Sequence, residues 1–258
     1  MKKSKKVWKN QFAKTRQETG DIAMCAKAQT FAYSLQECGT FLCAGADAKL
    51  FIKTMFTGDF QNCDVLFGSS CGLLLNSEAQ VIDLIHVINT GNNEYLILTS
   101  EQNAEEDFEW LEAHANLAQD KKKIFKDLIF ENQTGKLASL LLFGKDAEKV
   151  YKNLVDICEG KIAFIASELG ENSYLAPAGQ AYLLFVPLAI AAEVGEILNE
   201  FSGFEMLEPD EYKAMLEASN ECYLKLEDGK YYTPAELGLQ SLLRNEKDFV
   251  GAKFLEEE

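Results

Sequence analysis

Short apolar runs bounded by glycine, asparagine and serine clusters alternate along the chain with stretches whose apolar positions recur every three or four residues. The first pattern is typical of strands and the second of amphipathic helices. Strands are predicted at residues 40–44, 66–75 (interrupted at 68–70), 81–87, 95–99, 137–143, 161–166 and 181–186. Helices are predicted at residues 49–56, 107–118, 147–156, 187–201, 209–220 and 233–243. This order predicts an α+β fold with antiparallel or mixed sheets and helices on their outer faces.

One local pattern occurs twice, 99 residues apart. The strand at 40–44 is followed by Gly45-Ala46-Asp47-Ala48, and the strand at 137–143 is followed by Gly144-Lys145-Asp146-Ala147. Glycine permits the backbone turn at the strand exit, and aspartate can cap the helix that follows. The spacing is too long for a solenoid repeat. It predicts two related α+β halves, with any ligand in a central cleft between them.

The charge distribution separates a tail from the rest of the chain. Three segments are predicted: a basic N-terminal tail at 1–28, a first α+β half at 29–125 and a second half at 126–258. Seven of the 25 basic residues and no acid lie in the first 16 positions, which leaves 18 basic and 41 acidic side chains elsewhere. So acidic a surface repels nucleic acid and anionic lipid, and neither is an expected partner. The tail is expected to be solvated, and anchoring of an acidic protein partner is the alternative.

The cysteine and arginine content excludes several kinds of site. Seven cysteines include no C-x-x-C pair, which favours reduced, buried thiols over zinc ligands or disulfides. Only two arginines are present, Arg16 and Arg244, which argues against arginine clamps for phosphate or carboxylate. No apolar run approaches the ~20 residues of a membrane span, and the lysine-rich start lacks the apolar segment of a signal peptide. The expected location is cytoplasmic, without membrane association.

Several short segments, in the correct order, resemble the aminomethyltransferase family, which includes the glycine cleavage T-protein. The strand–Gly-x-Asp-Ala–helix element with Thr57-Gly58-Asp59-Phe60 resembles the opening of that family. The others are LNSEAQVIDL at 75–84 (family N-x-x-G-G-I-I-D-D), SEQNAEEDFEW at 100–110 (N-x-x-N-x-x-K-D-x-x-W), LFGKDA at 142–147 (x-Q-G-P-x-A), MLEA at 215–218 (R-L-E-A), and TPAELGL at 233–239 with DFVG at 248–251 (P-x-E-x-G-L and D-F-x-G). The family's C-terminal barrel is expected to be absent.

The resemblance implies the folate-binding fold of that family, with two related halves around a central cleft. It implies a small folate or pteridine-like ligand, with tetrahydrofolate as the suspected cofactor. The ligand-binding residues that it implies are Asp83, Ser100, Asn103, Trp110 and Glu217, and Asp83 is the catalytic candidate.

The sequence departs from the family pattern where the chemistry is concentrated. The second carboxylate of D-D, the family's key acid, is replaced by Leu84, and strand alternation directs Asp83 to the opposite face. The Y-T-G-E loop falls on residues 176–179 (APAG), the arginine of R-L-E-A is Met215, and the first asparagine of the N-x-x-N step is Ser100. Each lost buried hydrogen-bond partner costs about 1–3 kcal/mol. Folate binding with altered or lost one-carbon transfer is therefore expected.

Individual side chains have two interpretations each. Asp83 is either a general acid or base with a raised pKa, or a carboxylate satisfied by local N–H groups. His86 shares a strand face with Leu84 and either faces a ligand or is structural. If transfer survives, Asp83 or His86 has to position a proton near the folate nitrogen. Cys71 has no paired base in the sequence, and Asn103 is expected to cap a helix.

Two alternatives to the folate-binding hypothesis stay open. One is a noncatalytic protein-interaction module on the same fold. The other is an active tetrahydrofolate-dependent aminomethyltransferase or methyltransferase that a separate subunit completes.

Overall fold

A computed structural model describes residues 30–157, 174–178, 181–201, 203–212 and 230–256. The predicted tail, the predicted strand at 161–166 and Glu217 lie outside the described residues. In chain order the strands are β1 (Thr30–Ser34), β2 (Thr40–Ala44), β3 (Ser69–Leu75), β4 (Val81–Gly91), β5 (Glu94–Leu98), β6 (Ala118–Gln119), β7 (Lys122–Lys123), β8 (Ile129–Asn132), β9 (Leu137–Phe143), β10 (Tyr174–Ala178), β11 (Ala181–Pro187) and β12 (Phe204–Leu207). The helices are α1 (Ala48–Met55), α2 (Ala104–Ala115), α3 (Ala147–Ile157) and α4 (Ala191–Asn199), with 3-10 turns at Gln61–Asp64, Gln240–Leu242 and Ala252–Glu256.

The chain forms two compact units that are each discontinuous in sequence. Among the described residues, unit 1 comprises 30–37 and those from 135 to 212, and unit 2 comprises 38–134 and 230–256. The boundary predicted between residues 125 and 126 does not coincide with this grouping, because 126–134 and the C-terminal segment group with 38–125. That the segments 29–125 and 126–258 are two related halves stays a prediction.

Unit 2 is built on an antiparallel sheet with the strand order β3-β4-β5-β2-β8. Helices α1 and α2 pack on one side of it, here named the core face. Strand residues Ile85, Val87 and Ile97 are buried there with Phe51 of α1 and Leu111 of α2. This packing fixes the start of α2 against the adjacent strands.

The other side of the same sheet, here named the opposite face, is apolar at β3. Leu73 and Leu75 are fully buried there and pack with Leu239 and Phe249 of the C-terminal segment. Arg244, which is 9% exposed, holds this segment in place. Its guanidinium donates to the carbonyl oxygens of two α1-end residues, Lys53 and Phe56, and pairs with Asp248.

Unit 1 is built on a mixed sheet with the strand order β10-β11-β9-β1-β12. The β1–β12 pair is parallel and the other three pairs are antiparallel. Apolar residues of α3 and α4, among them Val150, Val194 and Leu198, pack on Leu140 and Leu142 of β9. The two sheets with their packed helices confirm the predicted α+β class. None of the helices in the described ranges combines the length and apolarity that a membrane crossing requires.

The two copies of the repeated sequence pattern fold alike. β2 leads through Gly45 into α1, and β9 leads through Gly144 into α3. Both glycines have positive φ, +112° and +107°, a region that residues with a Cβ rarely adopt. In each copy the alanine amide donates to the glycine carbonyl, Ala48 to Gly45 at 3.1 Å and Ala147 to Gly144 at 3.2 Å.

The prediction that Asp47 caps α1 is wrong. Its side chain makes no capping hydrogen bond. Instead, its Oδ2 accepts the amide N–H of Asp127 at 2.9 Å, and its own amide donates to the Asp127 carbonyl at 3.0 Å. The aspartate therefore fastens the chain before β8 to the turn before α1.

Three predicted elements differ from the structure. Pro187 ends β11, paired with Leu137 of β9, so α4 begins only at Ala191. Pro177 lies in edge strand β10 rather than in a loop, which is allowed because an edge strand needs no further hydrogen-bond donor there. Residues 233–243 form turns and a 3-10 turn instead of a helix. Of the predicted helix at 209–220, residues 209–212 are helical and the rest lies outside the described residues.

Candidate functional site

Asp83 of β4 pairs with Leu74 of β3 and faces the same side, the core face, where it is 1% exposed. A β-bulge adjoins this pair: the next β3 residue, Leu75, pairs with Val81, so β4 contains one extra residue there. Leu84 points to the opposite face and packs with the cluster that contains Leu73. The predicted alternation of the two residues is what the structure has.

The Asp83 carboxylate is bound by two backbone amides, one in β4 and one just after β5. Its Oδ1 accepts the N–H of Leu84 at 2.8 Å, and its Oδ2 accepts the N–H of Ser100 at 2.7 Å. Burial raises the pKa of Asp83, and these hydrogen bonds oppose that rise because they favour the charged form. Of the two sequence interpretations, the local satisfaction of a buried carboxylate describes this geometry.

A second carboxyl, that of Asp107, accompanies Asp83. Asp107 lies in the first turn of α2 and is fully buried. No N–H donor reaches either of its oxygens, and its polar neighbours are the side chains of Asp83 and Thr99. Burial, followed by the negative charge of Asp83, raises the pKa of Asp107 far above its usual range. Among the ion pairs of the described residues, none involves either aspartate.

Ser100 and Asn103 join the same group. The amide of Asn103 donates to Ser100 Oγ at 3.2 Å, and Asn103 Nδ2 donates to the carbonyl oxygen of Ile82 at 3.0 Å. Asn103 occupies the N-cap position of α2, yet its side chain makes no capping hydrogen bond, so that prediction is wrong. The side chain ties the start of α2 to β4 instead. The structure thus brings Asp83, Ser100 and Asn103 together.

Trp110 lies one turn further along α2 than Asp107. Its ring packs against the unit 2 core and stands 4.3 Å from the His114 ring, centroid to centroid. Its indole nitrogen is buried without a hydrogen-bond partner, so it makes no polar contact with Asp83, Ser100 or Asn103. The fifth predicted residue, Glu217, lies outside the described residues.

The opposite face of β3 and β4 presents a thiol and an imidazole beside Leu84. Cys71 pairs directly with His86, two pairs along from Leu73 and Leu84. Side chains of such pairs stand about 4.5–5.5 Å apart at Cβ. Burial lowers the pKa of His86 to about 4, which makes the imidazole neutral at pH 7. The sequence had offered no base near Cys71, and the strand register supplies one.

Two residues of structural weight were missed by sequence reasoning. Asp107 matches the aspartate of the N-x-x-N-x-x-K-D-x-x-W pattern, but it was interpreted only as one of three acids that favour a helix start. Its i, i+4, i+8 spacing with Leu111 and Ala115, which are both buried, is the signal that identifies it. Arg244 had no sequence signal, because its partners are backbone carbonyls. Within the described ranges, no three His, Cys, Asp or Glu side chains cluster as metal ligands.

Comparison with known proteins places these features in a family. Residues 10–176, more than half of the chain, match the family model described as the GCVT N-terminal domain. An aminomethyltransferase from Desulfitobacterium hafniense is 25% identical over 82% of this chain and 59% of its own length. One from Caldanaerobacter subterraneus is 28% identical over 83% of this chain and 50% of its own length.

The fold shows the same relationship. The glycine cleavage system aminomethyltransferase T from Bartonella henselae superposes with a TM-score of 0.69 at 19% identity, covering 90% of this chain and 63% of that structure. The chain therefore spans about three fifths of the length of such relatives. The match of the family model, which agrees with the sequence resemblance, shows that this chain belongs to the GCVT N-terminal domain family.

Proposed function

We propose that the chain binds a reduced folate or a pteridine-like ligand but does not carry out aminomethyl transfer. The observation that carries this proposal is the orientation of Asp83, whose buried carboxylate accepts the Leu84 and Ser100 amides. Aminomethyl transfer to a folate requires an acid that can exchange a proton with the folate nitrogen. Asp83 faces the core, and the neighbouring position on the other face is Leu84, which has no proton to exchange.

The residues around Leu84 fit a ligand better than they fit the transfer reaction. Leu84 is apolar, His86 is a neutral imidazole and Cys71 is a thiol, and all three are partly exposed, whereas Leu73 is covered by the C-terminal segment. Such a surface can pack against a planar ring and offer one imidazole hydrogen bond. It contains no carboxylate. Tetrahydrofolate, when bound, would supply the nucleophilic nitrogen of one-carbon chemistry, and here this chain's own residues would contribute binding and orientation.

The first test is equilibrium binding of tetrahydrofolate and 5-formyltetrahydrofolate by calorimetry and by tryptophan fluorescence. We expect saturable binding between micromolar and millimolar ligand. Trp110→Phe separates a signal from Trp110 from one arising at Trp8, the other tryptophan. No heat and no quenching at 1 mM, where the binding free energy would be only about −4 kcal/mol, would overturn folate binding and favour the interaction module.

The second test is formation of methylenetetrahydrofolate from an aminomethyl donor. Wild-type protein is expected to show none, and Leu84→Asp is expected to introduce a measurable rate, because it places a carboxylate on the opposite face. Leu84→Asn is the matched control of the same shape without the charge. Turnover by the wild-type chain, alone or after addition of a second subunit, would contradict the proposed loss of transfer.

A further inference from the structure

Two buried carboxyls meet at the junction of β4 and α2 without a cation. Asp83 is 1% exposed and Asp107 is fully buried. Burial raises the pKa of both carboxyls; the negative charge of Asp83 raises that of Asp107 further, whereas the contact with Asp107 lowers that of Asp83. Ionising both carboxyls in a desolvated site would cost too much free energy, because the two negative charges repel each other. One of the pair therefore keeps its proton. The pair therefore carries a single negative charge at neutral pH.

The hydrogen bonds identify which carboxyl is ionised. Asp83 accepts two amide N–H groups, from Leu84 at 2.8 Å and Ser100 at 2.7 Å, and such donors stabilise a carboxylate. Asp107 receives none. An ionised Asp107 would be a buried charge without an N–H donor, whereas a protonated Asp107 has an O–H that can donate to Asp83.

The ionisable groups around the pair bring no compensating positive charge. On α2, the charge of Glu106 adds to the rise in the pKa of Asp107. Ahead of β2, burial together with Glu101 and Asp83 raises the pKa of the Cys38 thiol to about 12. After β5, Thr99 and Ser100 contribute hydroxyls and amides only. Among the described residues, the charged groups that shift the pKa values of this cluster are therefore acidic.

We propose that Asp107 is a positioning residue: a neutral carboxylic acid whose proton, donated to Asp83, fastens α2 to β4 and thereby fixes the orientation of Leu84 on the opposite face. The Asn103–Ile82 and Asn103–Ser100 hydrogen bonds also hold the start of α2 at this junction. Removing the proton leaves two adjacent buried anions, so alkaline pH weakens the junction. This inference concerns the chain itself and does not depend on folate binding.

The expected pH dependence has a definite sign. In the unfolded chain Asp107 loses its proton near pH 3.9, whereas in the folded chain it keeps the proton to a much higher pH. Between these values the folded state holds one more proton than the unfolded state. Unfolding consequently becomes more favourable by up to tenfold in its equilibrium constant for each pH unit of increase.

The experiment compares wild type with Asp107→Asn, whose amide can donate to Asp83 but cannot titrate. Denaturant unfolding followed by Trp110 fluorescence from pH 7 to pH 9, above the range in which His86 titrates, should show a loss of stability with pH that is steeper in wild type than in Asp107→Asn by up to tenfold per unit in the equilibrium constant. Asp107→Leu, which cannot donate, should be destabilised at every pH. Glu109→Gln, on the exposed side of the same helix, is the control and should keep the wild-type slope.

A direct observation of the proton covers the case in which a variant does not fold. Infrared difference spectra of wild-type protein should contain the carbonyl stretch of one protonated carboxylic acid at pH 7, and Asp107→Asn should lack it. Equal pH slopes in wild type and Asp107→Asn, or absence of that band from wild type, would overturn the proposal. Loss of the band in Asp83→Asn with retention in Asp107→Asn would place the proton on the wrong residue and would also overturn it.

Discussion

Cys71 of β3 and His86 of β4 stand directly opposite each other in the antiparallel pairing, on the sheet face that also carries Leu84. His86 is partly exposed, yet burial lowers its pKa to about 4. An unfolded histidine titrates near pH 6.5. Between these two values the unfolded chain binds a proton that the folded chain does not.

The first prediction concerns this histidine. Because its folded pKa is lowered, its contribution to stability is present above pH 6.5 and is lost as the pH falls toward 4, by about 3 kcal/mol in total. Comparing urea unfolding of wild type and His86→Gln at pH 7, 6, 5 and 4 isolates this contribution from that of the carboxyls. His114→Gln, at the chain's other histidine, serves as the control and should keep the acid-dependent loss. An NMR titration that assigns the His86 imidazole a pKa near 6.5 would contradict the prediction.

The second prediction concerns the repeated turn. Gly45 has φ +112°, and a Cβ built on it would lie 2.3 Å from the carbonyl oxygen of Asp127. Gly45→Ala should therefore lower the free energy of unfolding by about 2–4 kcal/mol, through strain and displacement of the Asp127 backbone. Gly135→Ala is the matched control, since Gly135 also has positive φ, +75°, but no atom lies within 4 Å of the added Cβ.

Only the conformational term applies at Gly135, and its cost should be about 1 kcal/mol. Guanidinium unfolding of both variants measures the difference. Equal destabilisation would show that the Asp127 contact contributes nothing at Gly45.

The third prediction concerns Arg244. Its Nη2 donates to the Lys53 carbonyl at 2.7 Å and its Nε to Asp248 at 3.1 Å, and Nη1 donates to the Phe56 carbonyl. Lysine cannot reproduce this planar arrangement of donors, so Arg244→Lys should lower stability by about 2–4 kcal/mol because buried carbonyls lose their partners. Asp248→Asn should cost less than about 1 kcal/mol, since the Asp248 side chain is 63% exposed.

Hydrogen exchange provides the local readout for Arg244. The Val250 amide donates to the Thr54 carbonyl at 2.8 Å, and its protection should fall in Arg244→Lys but not in Asp248→Asn. Unchanged protection in both variants would mean that the C-terminal segment docks without the guanidinium.

Period-two alternation made one part of the site predictable. The sequence assigns Asp83 and Leu84 to different faces and His86 to the face of Leu84, and the β3–β4 register shows both. The alternation of side chains along a strand, applied to Asp83 and Leu84 in the apolar run of β4, is sufficient for that inference. Which face is the core does not follow from β4 alone, because it depends on where α1 and α2 pack.

The rotation of α2 about its own axis determines which of its first-turn acids is buried, and strand alternation gives no information about that. Glu105, Glu106 and Asp107 all suit the positive end of a helix, and all three read alike in sequence. Only Asp107 is buried, because it shares the helix stripe of Leu111 and Ala115. Tertiary contacts also explain why Asp47 and Asn103 do not cap their helices. The Asp47 side chain accepts the Asp127 amide instead, and the Asn103 side chain donates to the Ile82 carbonyl.

Strands β1, β8 and β12 were absent from the sequence prediction. Each has only four or five residues. Their pairings span long separations, as between Thr30 and Phe204 or Phe41 and Asn132. Local pattern cannot reveal a strand whose partner is distant, and such strands need the sheet to define them.

The long separation between Thr57 and Leu242 has a consequence for how the protein is made. The Thr57 hydroxyl donates at 3.0 Å to the carbonyl of Leu242, which lies 185 positions further along the chain. At about 5–20 residues per second, a ribosome delivers Leu242 about 10–40 s after Thr57. During that interval the apolar side chains of β3 lack their packing partners Leu239 and Phe249, while strands β9 to β12 are synthesised. A nascent chain of this protein is thus exposed to premature association at β3 until residues 239–249 have been translated.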